Sequence, residues 1–195
     1  MTLENVKEQK LLYHLTKLSN MESIIRDGLV SRESLIKNGV LFEDIADSAI
    51  ISKRKELGLE KYIPFHFHPY SSFDKAVKST YPADVFVYVC IKRALAKYKN
   101  YKILIKHPLS KSECNLYDYA EGFDKIDWEA MRAGALDDYS KQVKMAECLT
   151  DETIPAELFQ CVYVPDERVK TYVQQLFYKY GITEQPPYVN IQKWF

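Results

Sequence analysis

A histidine and a threonine lie two residues apart in the first apolar segment of the chain. The segment covers residues 11–16 and contains His14 and Thr16. Alternate residues of a strand point to the same face, so this imidazole and this hydroxyl can hydrogen-bond one ligand together. The competing interpretation is a hydrogen-bonded core histidine beside an ordinary strand threonine, and the residues alone leave both open.

Three consecutive basic residues, Lys53, Arg54 and Lys55, fall at the end of a predicted helix. Cations in a last helical turn complement the helix dipole, so a solvated basic helix end explains them. A guanidinium carried into a cleft would instead pair well with a pyrophosphate.

Two histidines, His66 and His68, share one face of the next predicted strand. Such a pair could contribute to a metal site. No further histidine or cysteine lies at ligand spacing, so we expect no metal.

A glutamate stands where a polar segment meets an apolar strand. Lys141 and Lys144 precede Glu147, and an apolar run follows it. A carboxylate at the mouth of a cleft can hydrogen-bond a ribose hydroxyl and stabilise an oxocarbenium-like transition state. The alternative is a surface glutamate in a charged segment. The neighbouring Cys148 has no base nearby in the sequence that would activate it as a nucleophile.

The elements that must position these residues are strands and helices in irregular alternation. We predict strands over 11–16, 62–67, 85–91, 102–106, 147–150, 161–164 and 188–195. Helices are predicted from 19 to Gly28, from Ser31 to before Gly39, over 43–57, over 127–133 and over 166–180. The absence of an even βαβ rhythm favours the α+β class, and we expect a single domain over residues 1–195.

Composition narrows the class of protein. The chain has 195 residues, and its 27 Lys+Arg balance 27 Asp+Glu, which argues against a wholly basic nucleic-acid coat. No run of about 18 apolar residues is present, so we expect a cytoplasmic protein without a membrane partner. The four cysteines are widely spaced, and we expect reduced, mostly buried thiols.

Taken together and in order, these segments resemble the DarT family, bacterial toxins that transfer ADP-ribose from NAD to bases in single-stranded DNA. The resemblance covers nearly the whole chain. It is carried by Tyr13-His14-Leu15-Thr16 with Asn20, Gly28-Leu29, Arg54, Tyr62-Ile63-Pro64-Phe65-His66-Phe67, Ile126-Asp127-Trp128, Lys144-Met145-Ala146-Glu147 and the closing Trp194-Phe195.

The resemblance implies an ADP-ribosyltransferase fold, a split mixed β-sheet core with surrounding helices that holds NAD between its halves. His14, Leu15, Thr16 and Asn20 fall where the family binds NAD. Arg54 matches its active-site arginine, and Glu147 matches its catalytic glutamate. Phe65 and Tyr70 are expected to wall the nicotinamide end. A macrodomain antitoxin that removes the ADP-ribose is the implied protein partner, and single-stranded DNA is the implied substrate.

Two departures from the family pattern fall near the substrate side, at residues 68–73 and at Met145-Ala146-Glu147-Cys148-Leu149. They leave open which base is modified and whether the substrate is DNA or RNA. Arg54 either clamps phosphate or helps to deprotonate the base. We also expected Lys53 to Lys55 and Lys141 with Lys144 to make the cleft basic. The alternatives are a transferase acting on RNA or protein, or an inactive nucleic-acid-binding or antitoxin-binding module.

Overall fold

The computed structural model describes residues 5–45, 48–110, 115–133 and 137–193. Its strands are Leu11–Lys17 (β1), Ile63–His66 (β2), Phe86–Lys92 (β3), Lys102–Leu104 (β4), Leu116–Tyr117 (β5), Glu147–Thr150 (β6), Cys161–Val164 (β7) and Tyr188–Ile191 (β8). Its helices are Met21–Asp27 (α1), Arg32–Lys37 (α2), Ser48–Glu56 (α3), Ser72–Thr80 (α4), Arg93–Tyr98 (α5), Tyr119–Lys125 (α6), Trp128–Arg132 (α7), Asp138–Lys144 (α8) and Glu167–Lys179 (α9). Short 3-10 turns occur at Val6–Glu8, Leu18–Asn20 and Ala156–Leu158.

The strands of the described residues form one mixed sheet in the order β5-β4-β6-β2-β1-β3-β7-β8. Neighbours are antiparallel except β7 and β8, which are parallel. β1 pairs with β3 along its whole length, from Leu11↔Lys92 to Lys17↔Phe86. Its pairing with β2 is confined to Tyr13↔His66. The sheet is therefore two four-stranded halves joined at one position, which confirms the α+β class and the predicted split core.

Apolar residues pack on both faces of the sheet. The main core lies on the face of Leu12 and Phe65, where α1 and α9 cover the strands. On the other face Tyr13 and Leu15 pack with Val77 of α4. Alternation along each strand assigns its side chains to these two faces, so both faces of the central strands are apolar. The two layers hold β1 and β2 in place beside the split.

Helix α9 confirms the helix predicted over 166–180, and it is amphipathic. Val169, Val173, Leu176 and Phe177 are buried along one stripe. Asp166 caps the first turn by accepting a hydrogen bond from the Val169 N–H at 2.9 Å. The helix packs on β8 and α1 and closes the core behind β1.

Helix α3 begins at Ser48, five residues later than the predicted start at Glu43. The backbone of Glu43 is held in a loop, because its N–H and its C=O are both hydrogen-bonded to the side chain of Asn20. A segment fixed by such tertiary hydrogen bonds cannot also form a first helical turn. The helical pattern from 43 onward was therefore too long.

Other sequence expectations are corrected locally. Helix α1 starts at Met21, after a 3-10 turn and without a side-chain cap, whereas the predicted helix began at residue 19. Helices α4, α5, α6 and α8 were not predicted. Helix α4 has its own capping box, formed by Ser71 and Asp74. Cys114 and the Trp194-Phe195 motif lie outside the described residues.

The remaining cysteines, Cys90, Cys148 and Cys161, are buried and free. Their burial is as expected for these three. None of the helices in the described part of the chain is long and apolar enough to cross a membrane.

Candidate active site

A cleft opens where the two halves of the sheet separate. Its walls are β1 at His14 and Thr16, β2 at Pro64, α3 at Arg54 and the start of β6 at Glu147. The free volume is about 190 Å³. That is below the roughly 300–1,000 Å³ of typical small-molecule sites, so the cleft is narrow as it stands.

Arg54 and Glu147 form a nearly buried ion pair at the bottom of the cleft. Nη1 of Arg54 donates to Oε1 of Glu147 at 2.9 Å and to Oε2 at 2.7 Å. The side chains are 12% and 7% exposed. Nη2 of Arg54 also donates to the Leu59 carbonyl at 3.4 Å, which holds the guanidinium against the end of its own helix. Ninety-three residues apart in sequence, the two predicted catalytic residues thus meet in space.

Glu147 is positioned by the sheet itself. As the first residue of β6 it lies opposite His66 of β2 and Leu104 of β4. A side chain on a strand paired on both sides has little freedom to move. The carboxylate therefore occupies a fixed position, and Arg54 reaches it from a helix outside the sheet.

His14 bridges the split between β1 and β2. Its Nδ1–H donates to the Pro64 carbonyl at 2.8 Å, just past the position where strand pairing stops. Burial lowers the pKa of His14 to about 4, so the ring is neutral at physiological pH. With the proton on Nδ1, Nε2 is left as a hydrogen-bond acceptor.

Asn20 ties the cleft-lining loop between α2 and α3 to β1. Its Nδ2 donates to Thr16 Oγ1 at 3.2 Å and to the Glu43 carbonyl at 3.1 Å, and its Oδ1 accepts from the Glu43 N–H at 3.0 Å. Lys17 adds an ion pair to Glu43 at 2.8 Å and another to Asp84 at 2.7 Å. The loop therefore stands over the cleft as an anchored wall.

Leu15 lines the cleft beside His14 and Thr16, although most of its side chain packs against the apolar cluster around Tyr13. The structure thus places all four residues of the predicted NAD site, the three strand residues and Asn20, at one wall. Their roles in binding stay predictions.

Phe65 and Tyr70 lie outside the cleft wall. Phe65 alternates with Pro64 and His66 along β2, so its ring points into the main core, where it is fully buried 5.7 Å from the His14 ring. Tyr70 has a positive φ of 69° and its N–H donates to the Tyr88 hydroxyl. Its side chain borders a small separate cavity with Asp74.

The prediction that the cleft is basic is wrong. Lys141 pairs with Asp138, and the buried Lys144 donates to the Met131 carbonyl at 2.6 Å. Lys53 pairs with Glu56. The charged residues that line the cleft within the described residues are two arginines and four carboxylates, namely Arg32, Arg54, Glu43, Asp44, Glu60 and Glu147.

Sequence reasoning treated His66 as a motif residue and a possible metal ligand, not as a cleft residue, and it did not name His107; both line the cleft. Nδ1 of His66 is buried without a hydrogen-bond partner in the described part of the protein. Nδ1 of His107 accepts from the Leu109 N–H at 3.2 Å, and burial lowers the pKa of His107. The His66↔Glu147 register brings His66 to the site, and a single sequence does not show the register between strands so far apart in the chain.

Two other chemistries find no support. Burial raises the pKa of the Cys148 thiol, which keeps it protonated. Within residues 5–45, 48–110, 115–133 and 137–193, no three His, Cys, Asp or Glu side chains are grouped as a metal site would need.

Comparison with known proteins finds that the chain is similar to proteins of one kind. A family model described as "ssDNA thymidine ADP-ribosyltransferase, DarT" matches residues 13–195. A DNA ADP-ribosyl transferase of Thermus aquaticus is 23% identical over 198 residues, covering 95% of this chain and 88% of the relative. A DNA ADP-ribosyl transferase–DNA ADP-ribosyl glycohydrolase fusion protein of Thermosipho africanus is 25% identical over 169 residues. That match covers 81% of this chain and 43% of the fusion protein, so the chain spans less than half of that relative.

The fold is shared with a solved structure. Thermus sp. 2.9 DarT in complex with ADP-ribosylated ssDNA superposes with a TM-score of 0.79, at 23% identity and 95% coverage of both chains. The same protein has been solved in complex with NAD+, with a TM-score of 0.73 at 21% identity, covering 94% of this chain and 95% of that one.

Proposed function

This chain belongs to the DarT family of ssDNA thymidine ADP-ribosyltransferases, and from that premise we propose that it transfers ADP-ribose from NAD+ to thymidine in single-stranded DNA. NAD+ is consumed as the donor and nicotinamide is released. The observation that carries the proposal is the Arg54–Glu147 pair in the cleft between the two halves of the sheet.

Glu147 supplies the stabilisation that breaking the nicotinamide bond requires. As the C1′–N bond of the nicotinamide ribose loosens, its electrons pass to nicotinamide and positive charge develops on the ribose. A carboxylate that accepts a hydrogen bond from a ribose hydroxyl stabilises that charge. Glu147 can do so once Arg54 gives up one of its two hydrogen bonds, since the second carboxylate oxygen keeps the pair together.

Arg54 acts as a clamp for negative charge. A guanidinium stays protonated in proteins, so it cannot take a proton from the base. It can pair with a pyrophosphate oxygen or with the anionic form of thymine that attacks the ribose. Thymine has no amino group, so the bond forms at its imide nitrogen and the proton of that nitrogen is released to solvent.

The wall formed by His14, Thr16 and Asn20 holds the adenosine side of NAD+. The neutral His14 offers Nε2 as an acceptor for a ribose hydroxyl, and the Thr16 hydroxyl lies on the same strand face. A dinucleotide does not fit in about 190 Å³, so the cleft must widen when it binds. The base must be unstacked to enter so narrow a cleft, which favours single-stranded substrate.

A glycohydrolase is the proposed partner. The Thermosipho relative carries a DNA ADP-ribosyl glycohydrolase in the same polypeptide as its transferase. We infer that a macrodomain antitoxin of that activity removes the modification made by this protein. Both would act on DNA in the cytoplasm.

A Glu147→Gln variant tests the proposal. Glutamine keeps the size of the side chain and one oxygen but removes the charge, so we expect ADP-ribose transfer to fall by about a hundredfold or more. Mass spectrometry of oligonucleotides incubated with NAD+ measures the transfer. Glu152→Gln, an exposed glutamate outside the cleft, is the control and should keep the wild-type rate.

Three oligonucleotides complete the test: one DNA strand containing thymidine, one without it, and an RNA strand. Modification restricted to the thymidine-containing strand supports the proposal. If the wild type modifies none of them, or if Glu147→Gln matches the wild type, the proposal is wrong.

A further inference from the structure

A second and larger cavity, of about 810 Å³, lies at the other end of β1. Its floor is the sheet surface at Leu11, Cys161 and Tyr163, and Tyr188 borders it on the edge strand β8. No residue that lines it also lines the catalytic cleft. It is therefore a separate feature that the proposed reaction does not use.

The border of this cavity is positively charged. Lys7, Lys10, Lys92 and Lys97 line it and are exposed, against one acidic lining residue, Asp124. Within the part of the chain that the structure describes, none of these four lysines has an ion-pair partner. Other lysines of the same region are paired: Lys99 with Glu152 and Lys102 with Asp118. The unpaired cluster is thus a local concentration of positive charge on a chain of zero net charge.

Arg93 is the cation of this cavity that has a structural role. Its guanidinium donates to the carbonyls of Leu11, Val6 and Phe67, at 3.0, 2.9 and 2.6 Å, and it is buried. It holds the walls of the cavity together and is not available to a ligand. The lysine ammonium groups around it carry no such bonds in the described residues.

Inside the cavity, one tyrosine ring and several side-chain amides are available to a ligand. Tyr188 is 68% exposed. The amides of Gln160 and Asn190 line the cavity and make no side-chain hydrogen bond within the described residues. Oε1 of Gln9 is buried there without a partner. An exposed ring can stack on a base, and amides can pair with base edges.

We propose that this cavity is a second contact surface for single-stranded nucleic acid, distinct from the catalytic cleft. The lysines contact phosphates, and Tyr188 stacks on a base outside the modified thymidine. The inference rests on the proposed function in taking a single strand as the substrate. An acidic protein surface would account for the lysines but leave the recessed amides unpaired, so a nucleotide strand is the better match.

The test compares a lysine variant with a charge-matched control. Lys92→Ala/Lys97→Ala removes two charges at the cavity. Lys37→Ala/Lys170→Ala removes two helical lysines elsewhere, the exposed Lys37 and the half-buried Lys170, which pair with Glu33 and Glu167. Fluorescence anisotropy without NAD+ measures the affinity of each for a strand of about 30 nucleotides, longer than the roughly 4–16 that one groove covers, and for a strand of about 5.

We expect the cavity variant to bind the long strand more weakly and to lower the slope of log K against log salt by about 1.4, the value for two phosphate contacts. Binding of the short strand and its modification should be unchanged. Tyr188→Ala should weaken long-strand binding about fivefold or more, and Tyr188→Phe should restore it.

The inference is overturned if both double variants lose the same affinity, or if neither the lysine change nor Tyr188→Ala affects the long strand. It is also overturned if the cavity variant binds an acidic peptide more weakly than the wild type does but binds DNA equally well. The binding assay uses no NAD+ and no turnover. A failure of the transferase proposal would therefore appear in the modification assay and not here.

Discussion

Arg54 and Glu147 neutralise each other in an ion pair that is almost out of contact with water. Breaking such a pair by removing one partner leaves an uncompensated buried charge, which costs about 3–5 kcal/mol. Variants that keep the charge at each position separate chemistry from folding better than alanine variants do.

Arg54→Lys keeps the charge but loses the planar fork that reaches both oxygens of Glu147. We expect the rate of ADP-ribose transfer to fall by about a hundredfold, with a much smaller change in the unfolding temperature. Initial rates on a thymidine-containing strand and thermal melts measure the two effects. Lys55→Arg in the same helical turn is the control, and a full rate in Arg54→Lys would refute a role for the fork.

The α2–α3 loop is held beside Thr16 and Asn20, and together they form one wall of the cleft. Asn20 satisfies both the N–H and the C=O of Glu43, which keeps residues 43–45 out of helix α3. This side chain lies at the start of α1 and contacts β1 through Thr16. One amide thus links three elements at the proposed NAD site.

Asn20→Ala should raise the KM for NAD+ about tenfold while changing kcat less, because the loop loses the bonds that position it. Water can replace the two lost bonds to the exposed Glu43 backbone, so each should cost only about 0.5–1.5 kcal/mol in stability. Steady-state kinetics and urea unfolding measure both. Asn100→Ala also removes a side-chain bond to a backbone N–H, that of Tyr119, far from the cleft. Asn100→Ala should lower stability and leave the KM for NAD+ unchanged. Equal KM values in the two variants would contradict the role of Asn20 in positioning the loop.

The sequence predicted those parts of the fold that local pattern determines. The buried run of β3, the amphipathic stripe of α9 and the strand at β6 follow from the periodicity of their own residues. What could not be predicted depends on pairing between distant segments. The His66↔Glu147 register and the burial of Lys144 are examples. The position of the Phe65 ring in the main core depends on the same pairing: its strand was predicted, but not which face of that strand lines the cleft.

Charge over the full chain is balanced, yet its distribution is not. Two arginines and four carboxylates line the catalytic cleft, while four lysines surround the second cavity. Zero net charge predicts weak and salt-sensitive binding of nucleic acid. The four lysines predict that this binding is located mainly at the second cavity. Buried histidines add a dependence of stability on pH.

Stability should fall as the pH drops from about 6.5 to about 4. Burial lowers the pKa values of His14 and His68 to about 4. Lys144 and His66 reinforce the shift of His68. The unfolded chain, where a histidine pKa is about 6.5, then binds more protons than the folded protein, so acid favours unfolding. The maximum slope is about 1.4 kcal/mol per pH unit for each group.

Urea midpoints measured from pH 7 to pH 4.5 test this dependence. His68→Asn keeps a donor for the Pro69 carbonyl, which Nδ1 of His68 reaches at 2.9 Å, but removes the titrating ring. Its stability curve should be flatter than that of the wild type. An unchanged slope would show that His68 does not contribute to the loss of stability in acid.

The confinement of β1–β2 pairing to Tyr13↔His66 has a mechanical consequence. Continuous ladders make each half of the sheet stiff, whereas the seam between the halves is held by one backbone pairing and by the His14–Pro64 hydrogen bond. Backbone pairing therefore ties the two halves together less firmly than it ties the strands within each half. We expect amide exchange of the paired strand residues to be faster at the seam than in β3. Widening the cleft at this seam would leave intact the strand pairing that holds Glu147.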